Sequence, residues 1–195
     1  VIGKTGPTAL LSTSALMSVG SDSDDPKRVN FVGIQHSHGI ACNGYTQSAV
    51  RTGYEQILAQ RTGDLFAQAA RFDGKVISKK SNAIVVQYED GSTKSVELGR
   101  RYGAAAGLTI AHNVITDMKE GEFFKKGDII AYNDGFFEKD IFNPKNVVWK
   151  MGVTAKTVLY ESTETHEDAS SISKRLAEKL TTKVTKIKTV VVSFD

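Results

Sequence analysis

The stretch Gly121-Glu-Phe-Phe-Lys-Lys-Gly-Asp-Ile-Ile-Ala131 decides how the middle of this chain is read. Gly127 and Asp128 signal a turn, and the apolar run behind them, Ile129-Ile130-Ala131, has the character of a strand entering a core. Glycines at 121 and 127 permit the positive φ that tight corners require. Upstream, residues 74–98 continue in the same style. Three β-rich runs, 75–78, 83–88 and 93–98, follow one another, and Asp90-Gly91 between the last two is a hairpin signal. Downstream, 147–149 and 157–160 read as short strands, and residues 183–194, rich in Val, Thr and Lys, read as a final strand.

Helices are fewer. Pro26 suits a first helical turn, with Asp24 or Asp25 as its cap. Residues 170–180 carry Ile172, Leu176 and Leu180 at intervals of four, which places them on one helical face. Asp168 is a good cap type, so Glu167 and Asp168 are expected at a strand-to-helix junction. Residues 45–70, with Gly53 and Gly63 and no strong period, read as short strands and turns. The fold class is therefore mainly β with a few helices (α+β).

Composition narrows the function classes. With 195 residues, 40% hydrophobic and 24% charged, the chain can bury a real core in one domain or two small ones. No apolar run approaches the ~18–20 residues of a membrane span. Residues 9–19 are short, broken by Ser and Thr, and make a poor signal peptide. The lone Cys42 rules out an internal disulfide and fits a reducing compartment. Because the first residue is Val, a processed product or a piece of a longer polypeptide is expected. Charge is uneven: Glu161, Glu164, Glu167 and Asp168 lie in a stretch without Lys or Arg. Beyond it, Lys174, Arg175, Lys179, Lys183, Lys186 and Lys188 stand against one acid, Glu178. A basic run beside an acid cluster suits phosphate and metal chemistry; a solvated helix leading into a Lys-rich edge strand produces the same pattern.

Three segments, in order, resemble one contiguous region of the β-type large subunit of multisubunit DNA-directed RNA polymerases. The first is Ser21-Asp-Ser-Asp-Asp-Pro-Lys-Arg28 with the following residues to His38. The second spans 114–135, with Gly127-Asp-Ile-Ile-Ala131 and Asp134-Gly135 similar to the family's "Gly-Asp-Val-Leu-Ala-Asp-Gly". The third is Glu167-Asp-Ala-Ser-Ser-Ile-Ser173, similar to its "Glu-Asp-(Ala/Ser)-Ile-Leu-(Ile/Val)-Ser". Between the first two, Arg71-Phe-Asp-Gly-Lys-Val76 and residues 83–90 resemble the family's "Gly-Gly-Val-Val" strand and the next one. The likeness covers roughly residues 14–190.

The resemblance implies part of a double-psi β-barrel with a barrel-sandwich-hybrid-like insertion. Residues 1–50 would be the first part of the barrel, 51–150 the insertion, and 151–195 the return with the Glu-Asp junction, a helix and a last strand. Sandwich-hybrid modules also carry biotin or lipoate, but the nearest lysine, in Met118-Lys119, precedes the motif and does not occupy a hairpin tip.

The implied role is a β-like subunit fragment, inactive alone, that adds nucleotide and RNA contacts to a two-metal nucleotidyl-transfer centre. Glu167 and Asp168 would serve as catalytic carboxylates near the second, nucleotide-borne Mg²⁺, directly or through water. Arg28 would contact the incoming triphosphate, supported by Asp25. Gln35, His36 and His38 would face RNA, and Lys174, Arg175 and Lys183 the phosphate backbone. Partners would be other β-like subunits and β′-like chains sharing the Mg²⁺, with DNA template, RNA transcript and nucleoside triphosphates, and no membrane.

Split subunits of this kind occur in large tailed phages, implying the cytoplasm of an infected cell or a virion. Departures from the pattern are Glu164-Thr-His166 in place of Tyr-Asn-aromatic, and His36-Ser-His38 in place of Gln-Arg-Gln. The alternative function class is a non-catalytic structural or nucleic-acid-binding module of a larger assembly.

Overall fold

The computed structural model describes residues 11–105, 108–161, 163, 169–185 and 188–193. Among the described residues, ten strands and four α-helices make it mainly β: several antiparallel sheets with a few helices. The meander is present as β2 (Gly74–Lys79), β3 (Ala83–Tyr88) and β4 (Thr93–Glu97), and its Asp90-Gly91 turn places Gly91 at φ 82°. A short edge strand, β7 (Phe123–Phe124), pairs with β2 at Gly74 and Lys75 and completes a four-stranded sheet.

The opposing sheet runs β1 (Ala67–Ala69), β8 (Ile129–Asn133), β6 (Leu108–Ile115) and β5 (Gly99–Ala105). The two sheets share one core. Val76, Ile84, Val86 and Val96 from the first meet Val114, Ile130 and Ala131 from the second. Alternation of apolar and polar residues along β3 and β4 sends one set inward. At the β2–β7 pair, Gly74 is dictated by space: a Cβ there would lie 2.3 Å from the Gln87 carbonyl oxygen and 2.8 Å from the Phe124 ring.

A second core sits beside this sandwich. It gathers Met17, Leu58, Ala59, Ala67, Tyr132, Phe137 and Val147, with Phe66 and Trp149 packed against them. It joins α1 (Thr13–Leu16), α3 (Tyr54–Arg61) and the β9 (Phe137–Lys139)–β10 (Val147–Trp149) hairpin to the β1–β8 edge. Beneath the hairpin, Arg51 and Asp140 form a buried ion pair at 2.5 Å, and Gln56 donates to the other Asp140 oxygen at 2.8 Å. Gln47 bridges the same layer: its amide nitrogen donates to the Lys139 carbonyl, and its oxygen accepts from the Ile141 N–H.

Three expectations need correction. Residues 45–70 are not strands and turns throughout, because α3 occupies the middle. Gly53, at φ 94°, is its N-cap, and Glu55 bends back so that Oε2 accepts from the Gly53 N–H at 2.9 Å. The two glycines punctuate a helix whose Leu58 and Ala59 are buried. Residues 157–160 and the described part of 183–194 form no strand, since a strand needs a paired neighbour and none of the described strands reaches them. The last helix, α4, spans Lys174–Lys179, later than Asp168 would start it. Ser173 is its N-cap, accepting from the Leu176 N–H at 3.2 Å. Among the described residues no helix is long and apolar enough to cross a membrane.

Candidate functional site

The first resemblance segment becomes α2 (Pro26–Ser37). Asp25 is its N-cap, with Oδ1 accepting from the Lys27 N–H at 2.8 Å, and Pro26 opens the first turn. Asp24 in turn accepts from the Asp25 N–H at 2.8 Å. Asp25 thus has a local structural role that sequence alone assigned to either of two aspartates. The helix leans on α1 at Gly33, where a Cβ would stand 3.2 Å from the Ser12 hydroxyl. Of its side chains only Val29 is buried.

Arg28 lies in the first turn, is exposed, and has no ion-pair partner among the described residues. Gln35, seven residues on, falls on nearly the same helical face about 10 Å away. His36 is rotated off that face and is half-buried, while His38 is the exposed C-cap. The structure therefore keeps Arg28 and Gln35 on one face and separates His36 from them.

His36 instead lines a cavity of about 550 Å³ between the α1–α2 hairpin and α3, with Ser37, Tyr54, Arg61, Thr62 and Trp149. The Thr62 hydroxyl is buried there without a hydrogen-bond partner among the described residues. Arg61, Thr62 and Trp149 come from two other parts of the chain. Recognising α3 would have been the one signal for the first two, since they end that helix.

Glu167 and Asp168 lie outside the described residues, as do His166 and Lys186. The described residues around α4 are tied to the segment that follows α2. The Gly44 N–H donates to the Lys179 carbonyl and the Asn43 N–H to the Thr181 carbonyl, both at 2.8 Å. The Asn43 amide nitrogen also donates to the Thr181 hydroxyl at 2.8 Å, and the Thr182 hydroxyl donates to the Ala41 carbonyl at 2.9 Å. Gly44 is required for this fit, because a Cβ would come within 2.5 Å of Lys179 Cβ. Segment 41–44 begins three residues beyond His38, so α2 and α4 are tied together across about 140 positions of sequence. Lys174, Arg175 and Lys183 are exposed around this joint.

Among the described residues no cluster of three or more His, Cys, Asp or Glu side chains is placed to hold a metal ion. As donors, Glu167 and Asp168 would offer hard carboxylate oxygens of the kind Mg²⁺ takes. Two such groups leave most of an octahedral shell to water, nucleotide or another chain. No protein-family model matches this chain, and no curated protein matches it.

Proposed function

We propose that the chain is a β-like subunit fragment of a multisubunit DNA-directed RNA polymerase, contributing part of a double-psi β-barrel and nucleotide and RNA contacts to the nucleotidyl-transfer centre. The observation that carries this reading is the α4 joint. It fastens residues 179–182, which follow the third resemblance segment, to residues 41–44, which follow the first, so the continuations of these two segments are joined. The two-sheet sandwich, with the Ile129–Asn133 strand in it, lies between them in sequence, where the resemblance expects the insertion.

Each residue then has a task. At the α2 N-terminus the Arg28 guanidinium adds to the positive end of the helix dipole, so it holds the anionic triphosphate. Asp25 holds the turn that presents it. Gln35 offers an amide on the same face to a ribose or base. Lys174, Arg175 and Lys183 line the approach with charge for the nucleic-acid backbone. Glu167 and Asp168 orient water or the triphosphate around the second ion. Mg²⁺, when bound, neutralises charge on the transferring phosphates. Aspartates for the first ion come from a β′-like chain, so this polypeptide is inactive alone.

The test is reconstitution with β′-like chains that carry an Asp-x-Asp-x-Asp loop, followed by RNA extension on a primed template. Replacing both Glu167 and Asp168 with Ala should raise the magnesium and nucleotide requirement. Unchanged elongation at low magnesium and low nucleotide would sink the metal role.

A further inference from the structure

We propose that Asn43-Gly44 is a self-modifying site. The α4 joint holds the pair intact, and once the joint opens Asn43 deamidates and α4 no longer redocks. Residues 41–44 and 179–182 alone carry this, whatever assembly the chain belongs to.

Asn43-Gly44 is the one Asn-Gly pair in the sequence. Such a pair contains its own nucleophile. The Gly44 backbone nitrogen, on losing its proton, attacks the Asn43 side-chain carbonyl carbon. The new C–N bond closes a succinimide ring, and the amide nitrogen leaves as ammonia. Water then opens the ring at either carbonyl, giving aspartate, or isoaspartate with the main chain routed through the β-carbon. The sum is amide plus water to carboxylic acid plus ammonia, and no electrons change hands. Glycine in second place leaves the nitrogen unshielded and the backbone free to reach the ring geometry. The fold cannot replace it, because a Cβ at Gly44 would come within 2.5 Å of Lys179 Cβ and 2.9 Å of the Lys179 carbonyl oxygen. Close docking of α4 therefore obliges the chain to keep a labile pair.

The docked joint restrains both halves of the reaction. The Gly44 N–H donates to the Lys179 carbonyl at 2.8 Å, so the proton that must leave is held in a hydrogen bond. At the side chain, the Thr181 hydroxyl donates to the Glu178 carbonyl at 2.8 Å. Its oxygen is left to accept from the Asn43 amide nitrogen, also at 2.8 Å, which fixes the amide. Asn43 is exposed, so the joint, not burial, is the restraint.

The same bonds make the step one-way. A carboxylate at position 43 has acceptors only, and it meets a Thr181 oxygen whose proton is committed to Glu178. Isoaspartate adds a carbon between the Asn43 and Gly44 N–H groups, which then no longer match the Thr181 and Lys179 carbonyls. Lys179 and Lys183 attract the new charge, but both are exposed and that attraction is weak in solvent.

Peptide mapping of the full chain by mass spectrometry, with isoaspartate read by enzymatic methyl transfer, tests the proposal. Chemistry confined to the open joint runs at the unfolded rate times the open fraction. Native Asn43 should therefore deamidate at least ~10-fold more slowly than in the urea-unfolded chain. Ala177→Pro removes the Ala177 N–H bond to the Ser173 carbonyl in α4 and should bring the rate close to the unfolded one. Thr181→Val, which loses the side-chain bond alone, should give a smaller acceleration. Gly44→Ala should release α4 yet suppress the reaction, since its methyl group shields the nitrogen. Asn43→Asp should speed proteolysis at Lys174 and Arg175 while the sandwich melts unchanged.

Equal rates at Asn43 in the folded and unfolded chains overturn the proposal. So does an Ala177→Pro chain whose α4 is cleaved quickly while Asn43 deamidates no faster than in the native chain. If Ala177→Pro does not fold, Thr181→Val decides in its place: a rate no higher than native overturns the proposal. An Asn43→Asp chain whose α4 resists protease as the native one does overturns the one-way release.

Discussion

The Asn133 side-chain nitrogen lies 2.7 Å from His112 Nδ1, and the Asn133 oxygen accepts from the Gly135 N–H at 3.0 Å. The second bond fixes the amide's orientation, so its nitrogen donates and His112 Nδ1 must accept. The imidazole is therefore neutral, with its proton on Nε2. Burial, and then the charge of Arg101, lower its pKa below the ordinary 6.5.

A histidine depressed in this way takes up its proton more readily in the unfolded chain. Its stability contribution is complete above the unfolded value of about 6.5 and declines as pH falls below it, by at most about 1.4 kcal/mol per pH unit. Urea denaturation between pH 7.5 and 5 should show this slope, and His112→Gln should flatten it. A slope unchanged in the variant would place the titration elsewhere.

Asp140 responds differently. Burial pushes its carboxyl up, but hydrogen bonds from Arg51 and the Phe142 N–H, with the Arg51 charge, outweigh burial and hold it below the ordinary 3.8. Its contribution is present above 3.8 and is lost as pH falls through the lower folded value. Arg51→Met leaves a buried carboxylate unpaired and should cost about 3–5 kcal/mol at pH 7. In that variant burial dominates, the folded pKa rises above the unfolded one, and mild acid should recover part of the loss. Thermal melts at pH 7 and pH 4.5 decide the sign.

At Gly44 the prediction is geometric. Gly44→Ala sets a Cβ against Lys179 and should release α4, at about 1–3 kcal/mol if the joint adjusts in place. A six-residue helix does not persist alone. Faster proteolysis at Lys174 and Arg175, with an unchanged melt of the sandwich, is the expected result.

Within a reconstituted polymerase, Arg28→Ala should raise the nucleotide KM by about tenfold or more, the worth of a charged hydrogen bond to phosphate. Arg28→Lys should recover little of it, because a point charge does not replace a planar fork. Steady-state extension kinetics at varied nucleotide supply the measurement, and a KM unmoved by Arg28→Ala removes the contact.

The meander was legible because its signals are local. Alternation and Asp90-Gly91 together set the β3–β4 register, and Asp90 even supplies the turn's own acceptor for the Ser92 N–H. The α2 start was legible for the same reason, through Asp25 and Pro26. By contrast α3 hid behind Gly53 and Gly63, since glycine marks helix ends and strand turns alike. The described part of 183–194 has strand-forming residue types but forms no strand, because pairing depends on a neighbour that composition does not reveal. The cavity beside His36 was illegible for a further reason: Tyr54, Arg61 and Trp149 converge only after the second core has formed.

That only Val29 of α2 is buried has a consequence for affinity. Few buried contacts hold such a helix, so opening it costs less than disrupting either core. In the proposed polymerase role, any share of time α2 spends open would reduce apparent nucleotide affinity in proportion. A protein clamping Phe31 and Ile34 from outside would therefore tighten nucleotide binding while touching no part of the nucleotide.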